Sequence, residues 1–139
     1  MKRSFMIAMV LFSIILASNA QAGGIFQKLY FVGLWQGVDN SDGSEAQRAI
    51  TLNDDGTFNI IGQEPYTNGC GGERGMVTGT GVLEGGVIIS EDFTLICFNG
   101  NGPFYDRAIY KPDKLNGTLI EDFPDSVFGP TSFHKISNR

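Results

Sequence analysis

From residue 33 onward the chain has almost no helical periodicity. Short runs rich in Val, Ile, Thr and Phe alternate with clusters of Gly, Asn, Asp and Pro. That alternation restricts the fold to an antiparallel barrel or sandwich. The spacing predicts strands at 33–38, 46–53, 57–63, 74–83, 87–98, 104–110, 115–122 and 131–136. Residues 24–32 read as a short helical or irregular lead-in. Its apolar members, Ile25, Phe26, Leu29, Tyr30 and Phe31, are placed to plug one end of a barrel.

The first 22 residues read differently. Lys2-Arg3 precedes an apolar run from Phe5 to Ala17 and an Ala20-Gln21-Ala22 exit. This is the pattern of a cleaved secretory signal peptide. The run is too short to span a bilayer as a helix, and no other stretch is apolar enough to do so. The expected mature chain is a single domain, 23–139, secreted or periplasmic, and large enough for one modest core. Lys2 and Arg3 leave with the leader, so the formal net charge moves from −5 to −7. That acidity argues against nucleic acid or anionic lipid as a partner.

Cys70 and Cys97 are the only cysteines, and export places them where disulfides persist. A single intramolecular bond is possible, closing a loop of roughly 28 residues and stabilising by about 3.6 kcal/mol on the chain-entropy account. It also decides a point of topology. Val87 to Phe98 reads either as one long strand or as two strands turning at Glu91-Asp92. In a meander, two strands would put the cysteines at opposite ends, about 3.3 Å apart per intervening residue. A disulfide needs Cα atoms within about 7 Å. One long strand, bulged at Glu91-Asp92, is therefore expected, and the count becomes eight: an all-β, antiparallel, up-and-down barrel with one disulfide.

With eight strands, the tight connections fall at one end: Asn53-Asp54-Asp55-Gly56, Glu84-Gly85-Gly86 and Lys111-Pro112-Asp113-Lys114. Longer ones, 39–45, 64–73, 99–103 and 123–130, fall at the other. Binding sites sit on long loops over rigid scaffolds and in barrel mouths, which directs attention to the looped end. Alternation gives Ile50, Leu52, Phe58, Ile60, Val87, Ile89, Phe93 and Leu95 as inward residues.

Gly33-Leu34-Trp35 opens the first strand at the closed end. It resembles the Gly-x-Trp signature of lipocalins and the wider calycin group, and the eight-strand pattern of 33–136 is similar to that group as well. The stretch from Gly33 to Asp39, the later Cys70-Gly71-Gly72 and the ending Phe133-His134-Lys135 also resemble lipocalin-like domains of secreted bacterial proteins. The resemblance implies a lipocalin-like barrel with Trp35 plugging its floor and Lys135 or Arg139 supplying the basic group that stacks on it. The helix before the last strand and the Thr-Asp-Tyr motif of lipocalins are missing.

Other motifs reduce to structure. An EF-hand loop with Gly43 as its turn would place Val38 and Ala49 at ligand positions, and one built on Gly56 would begin at Thr51; both spacings fail. Asn116-Gly117-Thr118 matches a glycosylation sequon but reads as strand beside a glycine bulge. His134 is the only histidine, and neither a nucleophile elbow nor a phosphate-cradling loop is present. No catalytic residue, metal site or cofactor is expected. What remains is aromatic: Tyr66, Phe98, Phe104, Phe123 and Phe128 fall in or beside the long loops, where large apolar side chains line a mouth or fold inward to cap the core.

Two functions fit. One is a secreted, non-enzymatic binding protein that holds a small apolar ligand at the looped end, with Tyr66, Tyr105 or Arg107 giving selectivity. The other is an interaction module acting on a secreted protein. Small barrels with Gly-x-Trp and one disulfide are similar to bacterial metalloprotease inhibitors, whose exposed N-terminus enters the target; Gly23 to Phe26 would be that arm. An internal cavity opening near loops 64–73 and 99–103 would favour the first, and a filled barrel the second.

Overall fold

The computed structural model describes residues 24–40, 42–126 and 129–138. The leader assigned to residues 1–22 lies outside them, as do Gly23, Phe128 and Arg139. Residues 24–31 are helical, and those up to Tyr30 form a unit separate from the barrel unit, which begins at Phe31. Among the described residues no helix is long and apolar enough to cross a membrane.

Eight strands follow: β1 (Gly33–Val38), β2 (Glu45–Leu52), β3 (Phe58–Thr67), β4 (Glu73–Glu84), β5 (Val87–Cys97), β6 (Phe104–Asp113), β7 (Thr118–Asp122) and β8 (Thr131–Ser137). Each pairs antiparallel with the next, and β8 returns to pair with β1, so the sheet is a closed up-and-down barrel. Closure pairs the edges that an open sheet would leave exposed. An eight-stranded barrel of this order is compatible with a calycin-like fold.

β5 runs unbroken through Glu91-Asp92, and its ladder with β6 shifts register between Ser90 and Phe93. The β4–β5 ladder shifts opposite this point, between Thr78 and Val82. The Asp92 carboxylate patches the gap, accepting hydrogen bonds from the Thr80 amide (2.6 Å) and the Ser90 hydroxyl (3.1 Å). Because β5 stays in one piece, its last residue reaches the loop after β3. Cys70 and Cys97 are disulfide-bonded with their Cα atoms 5.4 Å apart.

Ile50, Phe58, Ile60 and Phe93 are buried in the core as their alternation implies. β5 requires a correction. Val87-Ile88-Ile89 suits either face, and the barrel buries Ile88 and Ser90 rather than Val87 and Ile89. The bulge then resets the alternation, so Phe93 points inward after Ser90. Leu52 has the inward parity of β2 but lies at its last position, beside the hairpin, and is 37% exposed. Leu95 is half-buried.

The tight turns at 53–57, 85–86 and 114–117 close one end, and the longer loops at 39–44, 68–72, 98–103 and 123–130 ring the other. The turn expected at Lys111–Lys114 lies three residues later, because β6 continues through Pro112, which pairs with Leu119. Asn116 makes the turn instead of joining a strand: its amide and side chain both donate to the Asp113 carboxylate (3.3 and 2.7 Å). Gly117 follows at φ +66°, a left-handed conformation that glycine adopts without strain.

At the closed end Trp35 is 1% exposed. Its indole Nε1 donates to the Phe31 carbonyl (2.8 Å), and Phe31 packs edge-on against Phe58. The Lys135 ammonium lies 4.7 Å from the centre of the Trp35 ring and donates to the Val32 carbonyl at 2.9 Å. Of the two basic residues considered for that position, Lys135 occupies it.

Candidate functional site

Among the described residues three buried charged side chains, Arg48, Glu64 and Glu121, occupy the barrel interior, each on an inward position of its strand. On β2 the inward residues are Ala46, Arg48 and Ile50; on β3 the series ends in Gly62 and Glu64; on β7 Glu121 is buried. Arg48 Nε donates to Glu121 Oε2 at 2.7 Å and its Nη2 to Glu121 Oε1 at 2.8 Å. The same Nη2 also reaches Glu64 Oε1 at 2.6 Å, and Nη1 donates to the Gln47 carbonyl. The guanidinium lies between the rings of Phe93 and Phe133, 5.8 and 5.3 Å from their centres. Glycine makes this possible. A Cβ on Gly62 would come within 2.8 Å of Arg48 Cδ and 2.5 Å of Val77 Cγ2, so only glycine leaves room for the arginine stem.

Burial opposes the charge on Arg48, but Glu121, Tyr110 and Glu64 hold it protonated beyond the ordinary range. Burial likewise pushes the Tyr110 phenol well above its ordinary value, and the nearby Glu121 carboxylate adds to this. The Tyr110 hydroxyl has no hydrogen-bond partner among the described residues. Glu64 is raised mainly by burial. Arg48 pulls it back, while the carboxylates of Glu121 and Asp39 push it further up. One arginine faces two buried glutamates, and Glu121 takes the greater share of it.

Above this cluster the looped end opens into a cavity of about 340 Å³. Its apolar walls are Val77, Phe93, Leu95, Phe104 and Phe123, with Phe123 edge-on to Phe93 at 5.0 Å. Thr67, Asn68, Gly69, Gly129 and Thr131 add polar and backbone surface, and Tyr105 stands at the rim. The ionisable residues that line it are Asp39, Glu64 and Asp106, together with the Tyr105 phenol; no Lys, Arg or His does so among the described residues.

The mouth is laced together. Cys70 and Cys97 fix the 3-10 turn Asn68–Cys70 to the end of β5, and Asn99 Nδ2 donates to the Cys70 carbonyl at 2.8 Å. Asp42 accepts from the Ser44 amide and hydroxyl, and its other oxygen from the Asn68 amide at 3.2 Å. Partial burial works against ionisation of Asp42, yet these donors hold its carboxyl below the ordinary range. The loop that suggested calcium from its acidic residues thus uses Asp42 to tie 39–44 to 68–72. Asn40 Nδ2 bonds the Pro130 carbonyl, joining 39–44 to 123–130.

Of the residues singled out from sequence, Phe104, Tyr105 and Phe123 line the cavity. Tyr66 is half-exposed and sits over Gly72, Phe98 is exposed, and Arg107 pairs with Glu91 on the outer face at 2.8 Å. Phe128 lies outside the described residues. The sequence pattern does not single out Arg48, Glu64 or Glu121. A signal existed for one: Arg48 shares the parity of Ile50 on β2, so an inward Ile50 carries an inward arginine with it.

No protein-family model, curated protein or solved structure matches the chain.

Proposed function

We propose that this is a secreted, lipocalin-like, non-enzymatic binding protein that holds a small, largely apolar ligand at the looped end of its barrel. The observation that carries the reading is the cavity of about 340 Å³, walled by Val77, Phe93, Leu95, Phe104 and Phe123. Its volume falls within the range of roughly 300–1,000 Å³ typical of small-molecule sites. A disulfide-laced rim supports a preformed site, which lowers the ordering cost of binding. The Lys135–Trp35 stack at the opposite end supports the lipocalin-like reading, and the leader pattern together with the disulfide supports export. An inhibitor presenting loops would be served by a filled barrel, so the carrier is preferred.

The test is native mass spectrometry of protein exported through a secretory pathway and purified without detergent, followed by titration with an apolar fluorescent probe. A retained mass lost on denaturation, or saturable probe binding weakened by Leu95→Trp, is the expected result. A bare chain that also fails to bind the probe overturns the reading.

A further inference from the structure

We propose that the ligand is a cation: the cavity is built for a small amphiphilic amine, whose ammonium group meets Glu64 while its apolar body lies against Phe93, Phe123 and Leu95. This rests on the cavity being the ligand site. The argument starts from the pairing of charges. Arg48 gives two parallel hydrogen bonds to Glu121 and a single one, from the already shared Nη2, to Glu64. Glu64 is 8% exposed and lines the cavity, and its Oε2 has no donor among the described residues. What water reaches Oε2 does so at the cavity, and a ligand that displaces that water must itself supply a donor or a counter-charge.

The three kinds of ligand would fare differently. A neutral apolar molecule filling the space would strip the remaining water from Glu64 and leave Oε2 unpaired. An anion would meet Asp39, Glu64 and Asp106 with no cation in the lining to receive it. An ammonium supplies both the donor and the charge, while Phe93, Phe123 and Leu95 offer apolar surface to the rest of the molecule. The volume leaves space for one ring and a short chain beside it.

A proton should move with the ligand. The groups facing Glu64 are Arg48 from β2, Glu121 from β7, Asp39 from the loop after β1 and, across the cavity, Asp106 from β6; β4 contributes the apolar Val77. Burial and the two neighbouring carboxylates raise Glu64, and an arriving ammonium opposes that rise. Amine binding therefore releases protons and weakens as the solution is acidified.

The test uses three probes with one apolar body, phenylbutylamine, phenylbutanol and phenylbutyrate, titrated calorimetrically into the oxidised full-length mature protein at neutral pH and low salt. The amine is expected to bind at least about tenfold more tightly than the alcohol, the contribution of one charge-assisted hydrogen bond, with the acid weakest. Proton release should appear when buffers of different ionisation enthalpy are compared. Glu64→Gln should collapse the amine–alcohol gap, with Trp35 fluorescence confirming the fold; Asp106→Asn, at the rim, should narrow it. Equal binding of amine and alcohol, or tighter binding of the acid, overturns the charge assignment and leaves the carrier reading standing. No binding of any of the three overturns both.

Discussion

Arg48 and Glu121 meet in two parallel hydrogen bonds, Nε to Oε2 and Nη2 to Oε1, inside the barrel, where their side chains are 1% and 2% exposed. The residues are 73 positions apart, so the pair crosses the interior between β2 and β7. Removing the arginine strands two carboxylates in a low-dielectric core. Arg48→Met should cost about 3–5 kcal/mol in urea unfolding. Replacing the whole cluster, Arg48→Met with Glu64→Gln and Glu121→Leu, should recover most of that loss. A single substitution costing under about 1 kcal/mol would show that the pair has little hold on the fold.

Glu64 gives the protein a distinctive pH response. Its carboxyl is raised above 4.5, chiefly by burial, so the folded state keeps a proton that the unfolded chain has released. The stabilisation is complete below that unfolded value and is lost as pH rises through the higher folded one. Glu64→Gln should therefore gain on the parent as the pH rises from 4.5 through the raised folded value. Urea midpoints of the two proteins across that window provide the check, and a constant difference would contradict it.

The disulfide should stabilise by about 3–4 kcal/mol for a loop of its length. Its effect on exchange should be local. In Cys70→Ser/Cys97→Ser, amides of 68–72 and the end of β5 should lose protection in hydrogen exchange. Those of the 53–57 hairpin, at the other end of the barrel, should keep theirs until the protein unfolds globally.

Gly62 is a packing requirement. Gly62→Ala would place Cβ 2.4 Å from the Gln47 carbonyl oxygen and 2.5 Å from Val77 Cγ2. It should destabilise by at least about 1–3 kcal/mol, the usual cost of overpacking. Gly129→Ala, with nothing within 4 Å, should lie within about 0.5 kcal/mol of the parent in the same unfolding assay.

The order of strands was legible because turn residues punctuate the chain, and Cys97 pinned β5 as a single strand. Local facing was harder to read. Three consecutive apolar residues, Val87-Ile88-Ile89, carry no alternation, so their facing is set by the paired strands Leu83 and Tyr110 belong to. The apolar wall of the cavity was partly visible through Phe104 and Phe123. Its charged floor was not, since Arg48, Glu64 and Glu121 stand far apart in sequence and only barrel closure brings them together. Arg107, expected at the mouth, pairs with Glu91 on the outer face.

Seven of the eight strand pairings join neighbours in the chain; the seam of β1 with β8 does not. The Lys135–Val32 bond that fastens it spans 103 residues. Closing the seam is therefore the most entropically demanding event in assembly. Until it happens, two bare strand edges remain available to other chains. The residues around Trp35 thus set how long a newly made molecule stays sticky, and substitutions there should show first as lost yield of folded protein.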